Sequence, residues 1–132
     1  MHAAGPGIVR NYIELGGNSH HLGRTIDAKY IAELGNEGNE LAIKTFELVG
    51  YYVGKVIGII CNVLNPQKVV IGGGVSLSFS LFEKSLKDTV RNNIYVAANK
   101  DLEIIPSKFG YNGGVFGATA IAISGIDKLR LV

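Results

Sequence analysis

The segment with the clearest capacity for chemistry is Leu64-Asn65-Pro66-Gln67-Lys68-Val69-Val70-Ile71-Gly72-Gly73-Gly74-Val75-Ser76. A short β-branched run ends on three consecutive glycines. Without Cβ atoms, such a backbone can lie directly against a ligand. The residues that follow return to helical periodicity, so helical N–H groups are available to an anion or a polar ligand. No Gly-Lys-Ser/Thr follows, which excludes a Walker loop, and Leu77 stands where the dinucleotide fingerprint needs a third glycine. A phosphate loop, an adenosine loop and a tight structural turn all fit the residues at this stage. A second glycine-rich turn, Gly110-Tyr111-Asn112-Gly113-Gly114, follows a second short apolar run.

Other reactive residues offer less. Cys61 is the single cysteine and lies in the apolar run Ile59-Ile60-Cys61-Asn62-Val63. An intrachain disulfide and a four-cysteine zinc site are therefore excluded, and a buried reduced thiol is expected. His20 and His21 are adjacent, with no carboxylate or cysteine close by in sequence, and read as a solvated loop. No metal site is expected in this chain.

The glycine turns must be held by the elements around them. Gly5 to Leu15 reads as a short helix opened by Pro6. Thr25 is expected to cap a helix over about 26–34 that Gly35 ends. Asn39 opens a long helix to Leu64, where Asn65-Pro66 stops it. Gly50, Gly54 and Gly58 recur within it at every fourth residue. Each costs up to about 1 kcal/mol against alanine, so the stripe implies close approach of another backbone. The apolar positions go well round this helix, which predicts burial on several sides.

Lys68 to Ile71 is too short for a helix and reads as a buried strand. Phe79, Phe82, Leu86 and Val90 set the inner face of a helix over about 78–93, with Glu83 and Lys87 as an outer pair. Leu102 to Ile105 reads as a second strand ended by Pro106, and Val115 to Ser124 as a small-residue helix. Strands alternating with helices predict parallel pairing in a helix-rich α/β architecture. Two strands make a marginal sheet alone, which suggests one part of a larger domain.

Composition agrees. The chain has 132 residues, 47% hydrophobic and only 18% charged; about 25% charged is usual. The deficit predicts a surface meant to be covered. Net charge is +2 with lysines and arginines scattered, so no nucleic-acid footprint is expected in this segment. Met1 to Arg10 lacks the pattern of a secretory leader. Leu48 to Leu64 is apolar but short of about 20 residues and interrupted by Lys55. A core helix is expected there, with no membrane span and a cytoplasmic location.

The Asn65-Pro66 to Gly72-Gly73-Gly74-Val75-Ser76 block resembles the adenosine-side loop of the ROK sugar kinases, within the actin-like ATPase and sugar-kinase superfamily. Gly7-Ile8-Val9-Arg10 is similar to the stretch after the zinc motif in bacterial glucokinases. Gly38-Asn39-Glu40-Leu41-Ala42 resembles the family's helix start, and Phe109 to Ala118 its closing glycine loop and last core helix. The resemblance covers roughly residues 3 to 124. It implies the C-terminal portion of an RNase H-like (actin-like ATPase) domain with few parallel strands. It also implies ATP- and Mg²⁺-dependent phosphorylation of a hexose, glucose by the glucokinase likeness, in a homodimer.

On this resemblance Gly72, Gly73, Gly74, Val75, Ser76, Gly113 and Gly114 contact nucleotide. Where the family often has Asn-Asp-Ala-Gly, this chain has Tyr111-Asn112-Gly113-Gly114, which removes an acidic contact. None of Asp27, Asp88, Asp101 or Asp127 has a glycine two residues on. The family's Asp-x-Gly phosphate loop, its Gly-Thr-Gly loop, its catalytic Asn-Asp and its cysteine-rich zinc motif have no counterparts. The N-terminal lobe that carries them is expected to lie outside the 132 residues, and its sugar-contacting glutamate just upstream of Met1. No catalytic residue is expected in this chain, nor kinase activity from it alone. Two other readings fit the same residues: the C-terminal sugar-sensing and dimerisation region of a ROK repressor, and a purely structural piece.

Overall fold

The computed structural model describes residues 2–21, 23–95 and 101–129. Helix α1 spans Gly5–Glu14, with Pro6 in its first turn where a missing N–H costs nothing. It buries Ile8, Asn11 and Tyr12. A minimal antiparallel hairpin follows, β1 (His20–His21) against β2 (Arg24–Thr25).

Helix α2 runs Ala28–Asn36, later than the sequence suggests. Thr25 is held in β2, and Asp27 caps instead, its carboxylate accepting from the Tyr30 N–H at 2.8 Å. Gly35 does not end the helix. It lies inside it, buried against Leu81, and the chain turns at Gly38, whose φ of 91° suits glycine.

Helix α3 spans Glu40–Leu64. The Asn39 side chain accepts from the Ala42 N–H at 3.0 Å, as a cap should. At the far end Asn65 takes the left-handed conformation, φ 45°, and its N–H donates to Cys61 O at 2.9 Å. Asparagine is among the few non-glycine residues that tolerate this shape, and Pro66 then prevents continuation.

The glycine stripe faces helix α4, Phe79–Arg91. A Cβ on Gly50 would lie 2.6 Å from Phe82 O, one on Gly54 2.7 Å from Thr89 Cβ, and one on Gly58 3.0 Å from Asn93 Cβ. The two backbones approach as closely as three missing side chains allow. Asn93 then fastens the far end: its Oδ1 accepts from Lys55 Nζ at 2.9 Å and its carbonyl from Asn62 Nδ2 at 2.8 Å.

Strand β3 (Lys68–Ile71) pairs in parallel with β4 (Glu103–Pro106), in register Lys68 to Glu103 and Ile71 to Pro106. Lys68 Nζ meets Glu103 Oε2 at 2.7 Å across this pair. Pro106, expected to end the second strand, is its last residue. Helix α5 spans Gly113–Leu129, longer at both ends than the expected 115–124.

The core lies where α1, α2, α3 and α4 meet. Ile8, Ile31, Phe46, Val49, Phe82 and Leu86 are all essentially inaccessible to solvent. Phe82 stacks near Phe46, centroids 6.5 Å apart, and takes the edge of Phe79 at 5.3 Å. The expectation that α3 is buried on several sides holds only in part. By length and composition α3 is long and apolar enough to cross a membrane; its inner side instead forms this core. Its outer side leaves Val56, Ile59, Ile60, Val63 and Leu64 exposed, because no described element packs there. Val70, Ile105 and the α5 residues Val115, Phe116, Ile121 and Ile123 are exposed as well, so β3, expected to be a buried strand, has no fully buried residue because no described element covers its outer face. The low charge content therefore corresponds to real uncovered apolar surface.

Candidate functional site

Parallel pairing brings the ends of β3 and β4 to the same edge, so the two glycine turns leave it side by side. The Ser107 N–H donates to Ile71 O at 2.8 Å and carries the pairing one residue further. Ligands in open α/β sheets gather outside the carboxyl ends of strands for this reason.

The first turn is shaped by Gly73, whose φ of 89° and ψ of 176° are closed to other residues. Ser76 braces it from below. Its hydroxyl donates to Gly73 O at 2.7 Å and its N–H to the same oxygen at 3.1 Å. Ser76 is buried and its hydroxyl is used within the loop. Helix α4 begins close to the expected position, a few residues after the glycines. A 3₁₀ turn over Gly74–Ser78 intervenes, and Ser78 precedes α4 without its side chain capping it. The second turn is also 3₁₀, Gly110–Asn112, and packs on the first. A Cβ on Gly110 would lie 3.3 Å from Leu77 Cδ2.

Between these turns and the start of α1 lies a cavity of about 430 Å³, within the range of small-molecule sites. Gly72, Gly73, Gly74, Val75 and Ser78 line one side, with Tyr111 from the second turn. Ala3, Ala4, Gly5 and Ile8 line the other, and Ala28 and Phe46 complete the wall. Tyr111 leans on the first turn: an added Cβ at Gly74 would meet its Cε1 at 2.4 Å and its Oη at 2.9 Å.

Four of the residues singled out in the sequence, Gly72, Gly73, Gly74 and Val75, thus share one wall. Ser76 sits beneath that wall. Gly113 and Gly114 are not in the lining; Gly113 opens α5 beside Ser107 and Phe109. Sequence reasoning did not select Ser78, Tyr111 or the Ala3–Gly5 segment. The only signal for Tyr111 was its departure from the family pattern. Nothing local in the sequence shows that α1 begins opposite the glycines.

No charged side chain lines the cavity among the described residues. Its polar groups are backbone amides and the hydroxyls of Ser78 and Tyr111. Such a wall can hold a ligand by shape and hydrogen bonding, and it offers no acid, base or nucleophile. Elsewhere, Lys68 beside Glu103 holds that carboxyl below its ordinary value, first by a hydrogen bond and then by charge. Burial pushes the Cys61 thiol up. His20 Nδ1 pairs with Ser19 Oγ at 3.0 Å, and among the described residues no cluster suited to a metal ion forms.

The sequence model of the group described as "ROK family" matches residues 1–124. The chain belongs to the ROK family. This ROK chain is 29% identical over 93 residues to the DNA-binding transcriptional dual regulator NagC of Escherichia coli, covering 70% of the chain and 23% of that protein. It is 32% identical over 102 residues to an N-acetyl-D-glucosamine kinase of Pasteurella multocida, covering 77% of the chain and 33% of the kinase. In three dimensions it resembles a ROK family glucokinase from Streptomyces griseus, solved with glucose and AMPPNP. That match has a TM-score of 0.76 and 18% identity, covering 91% of this chain and 42% of the other. At that identity the likeness speaks for the fold, which is the helix-rich α/β fold of ROK sugar kinases. The ROK chain spans a quarter to a third of the curated relatives it matches.

Proposed function

We propose that this chain is the nucleotide side of an ATP-dependent hexose kinase, glucokinase-like in converting glucose to glucose 6-phosphate. The observation that carries the reading is the packing of two glycine turns side by side along one cavity, at the carboxyl ends of adjacent parallel strands. Gly72, Gly73, Gly74 and Val75 hold the nucleoside by close backbone approach, and Ser76 fixes the turn that presents them. Gly113 and Gly114 contribute by setting the start of α5 rather than by lining the cavity.

Phosphoryl transfer depends on positioning and on neutralising charge at the phosphates. Among the described residues no carboxylate lines this cavity, so in this reading Mg²⁺, the phosphate loops, the catalytic base and the hexose site belong to the remainder of a longer protein. That protein works in the cytoplasm as a homodimer. The chain by itself does not turn over ATP and glucose, which a coupled hexokinase assay checks.

Calorimetric titration with ADP tests the nucleotide reading. The chain is expected to bind saturably, and Gly73→Val to abolish binding, since a β-branched residue cannot hold φ near 89°. Absence of binding to the unaltered chain would overturn the reading in favour of a structural piece.

The similarity to NagC supports a second reading, the sugar-sensing and dimerisation region of a repressor. In that case the whole protein releases DNA on binding sugar and phosphorylates nothing. Measuring ATP-dependent glucose phosphorylation and sugar-dependent DNA release on the whole protein separates the two.

A further inference from the structure

We infer that Tyr111 is the platform on which the ligand's aromatic base rests, so that this chain selects the uncharged nucleoside part of its ligand. The inference rests on the nucleotide reading and adds to it the residue that recognises the base. Among the described lining residues there is no lysine, arginine or carboxylate. Backbone N–H groups alone can hold an anion, but phosphate groups gain most from cationic partners, and none lines this recess. An uncharged, flat group meets what the recess does supply: the side chains of Ala3, Ala28 and Val75, bare glycine backbone, and the hydroxyl of Ser78.

Tyr111 is the aromatic residue placed to stack. Its ring comes nearest to the position above Gly74 with the outer edge, Cε1, Cζ and Oη. The residue is 73% exposed, so much of it remains accessible beside the cavity. Phe46, the other aromatic in the lining, is fully buried and committed to the core. Gly74 has a specific part in this arrangement. It leaves room for the Tyr111 edge to settle over the first turn, and a methyl group there would drive the ring away.

The test titrates the full 132-residue chain with adenosine, ADP and ribose 5-phosphate. Adenosine is expected to bind within about threefold of ADP, and ribose 5-phosphate not to bind. Tyr111→Ala should weaken adenosine about tenfold, the usual scale of base–aromatic stacking, while Tyr111→Phe keeps the affinity. Because Tyr111 is exposed, these variants should fold as the parent does, which circular dichroism checks. Gly74→Ala should weaken adenosine in the parent and have no further effect in the Tyr111→Ala background, the coupling a double-mutant cycle detects. If ADP binds but adenosine does not, or if Tyr111→Ala leaves adenosine affinity unchanged, the inference is wrong and the nucleotide reading stands. If Gly74→Ala acts equally in both backgrounds, the added methyl blocks the cavity itself and the Tyr111 contact is refuted. If neither ADP nor adenosine binds, both readings fall together.

Discussion

Gly50→Ala should destabilise this fold, although alanine is the better helix former. In an exposed helix the substitution gains about 0.8–1.0 kcal/mol. Here the new Cβ would lie 2.6 Å from Phe82 O, 2.8 Å from Leu86 N and 2.9 Å from Ser85 Cβ. The first two are backbone atoms of α4 and cannot rotate aside. α3 and α4 must separate by about half an ångström, which loosens the Phe46–Phe82 contact beneath them. Overpacking of this kind costs typically 1–3 kcal/mol, and with backbone as the obstacle the upper end applies. The net loss is then about 2 kcal/mol. A urea slope of roughly 1–3 kcal/mol per molar turns this into a fall of about 1 M in the unfolding midpoint. Gly117→Ala in α5 is the control, since its Cβ meets nothing within 4 Å, and its midpoint should not fall. A Gly50→Ala midpoint equal to or above the parent's would refute the close-packing account.

Asn39→Ala should cost about 1 kcal/mol by removing the cap on the Ala42 N–H, read as a lower thermal midpoint, with Asn39→Asp nearly neutral. Cys61 should resist a thiol reagent in buffer and react fully in denaturant, since it is inaccessible and burial raises its pKa; fast labelling of the native chain would count against the α3 packing. The folded Glu103 carboxyl titrates lower than the unfolded one, so its pairing with Lys68 adds stability above the ordinary carboxylate value and loses it as pH falls through and below about 4.3. The difference in urea midpoint between the parent and Glu103→Gln should therefore be small at pH 7, where the pair is exposed and salt-screened, and shrink further as pH falls below the ordinary carboxylate range.

What could be read in advance follows the range of the interactions. The bounds of α3 were legible because both ends are set by their own residues, Asn39 by its side chain and Asn65-Pro66 by backbone preference. Strand Lys68–Ile71 and its parallel pairing were legible from β-branching and from the alternation of strand and helix. The glycine stripe announced a neighbouring backbone, though not that it would be α4. The start of α2 was misplaced by tertiary pairing: Thr25 is a sound cap by type, but pairing with His20 of β1 holds it in β2, and Asp27 inherits the role. Gly35 looked like a stop and proved to be a packing position under Leu81. The site was legible as its first wall only. Gly72 to Val75 declare themselves locally, whereas the opposite wall comes from Ala3 to Ile8, some seventy residues earlier in the sequence. Proximity of that kind is decided by helix packing and leaves no local trace.

The locking of α3 to α4 also bears on how a ligand would be greeted. The first glycine turn is strung between two elements that are themselves fastened together. It enters from β3, just after α3, and leaves into α4. Three consecutive glycines on free ends would sample many shapes, and a ligand would have to order them at an entropic cost. Here the ends are fixed by the Gly50–Gly58 contact, and the middle by the Ser76 bonds to Gly73 O. The turn is therefore rigid before anything arrives. Loosening the helix pair at Gly54, far from the cavity, should weaken binding through the turn's regained freedom, with no contact to the ligand altered.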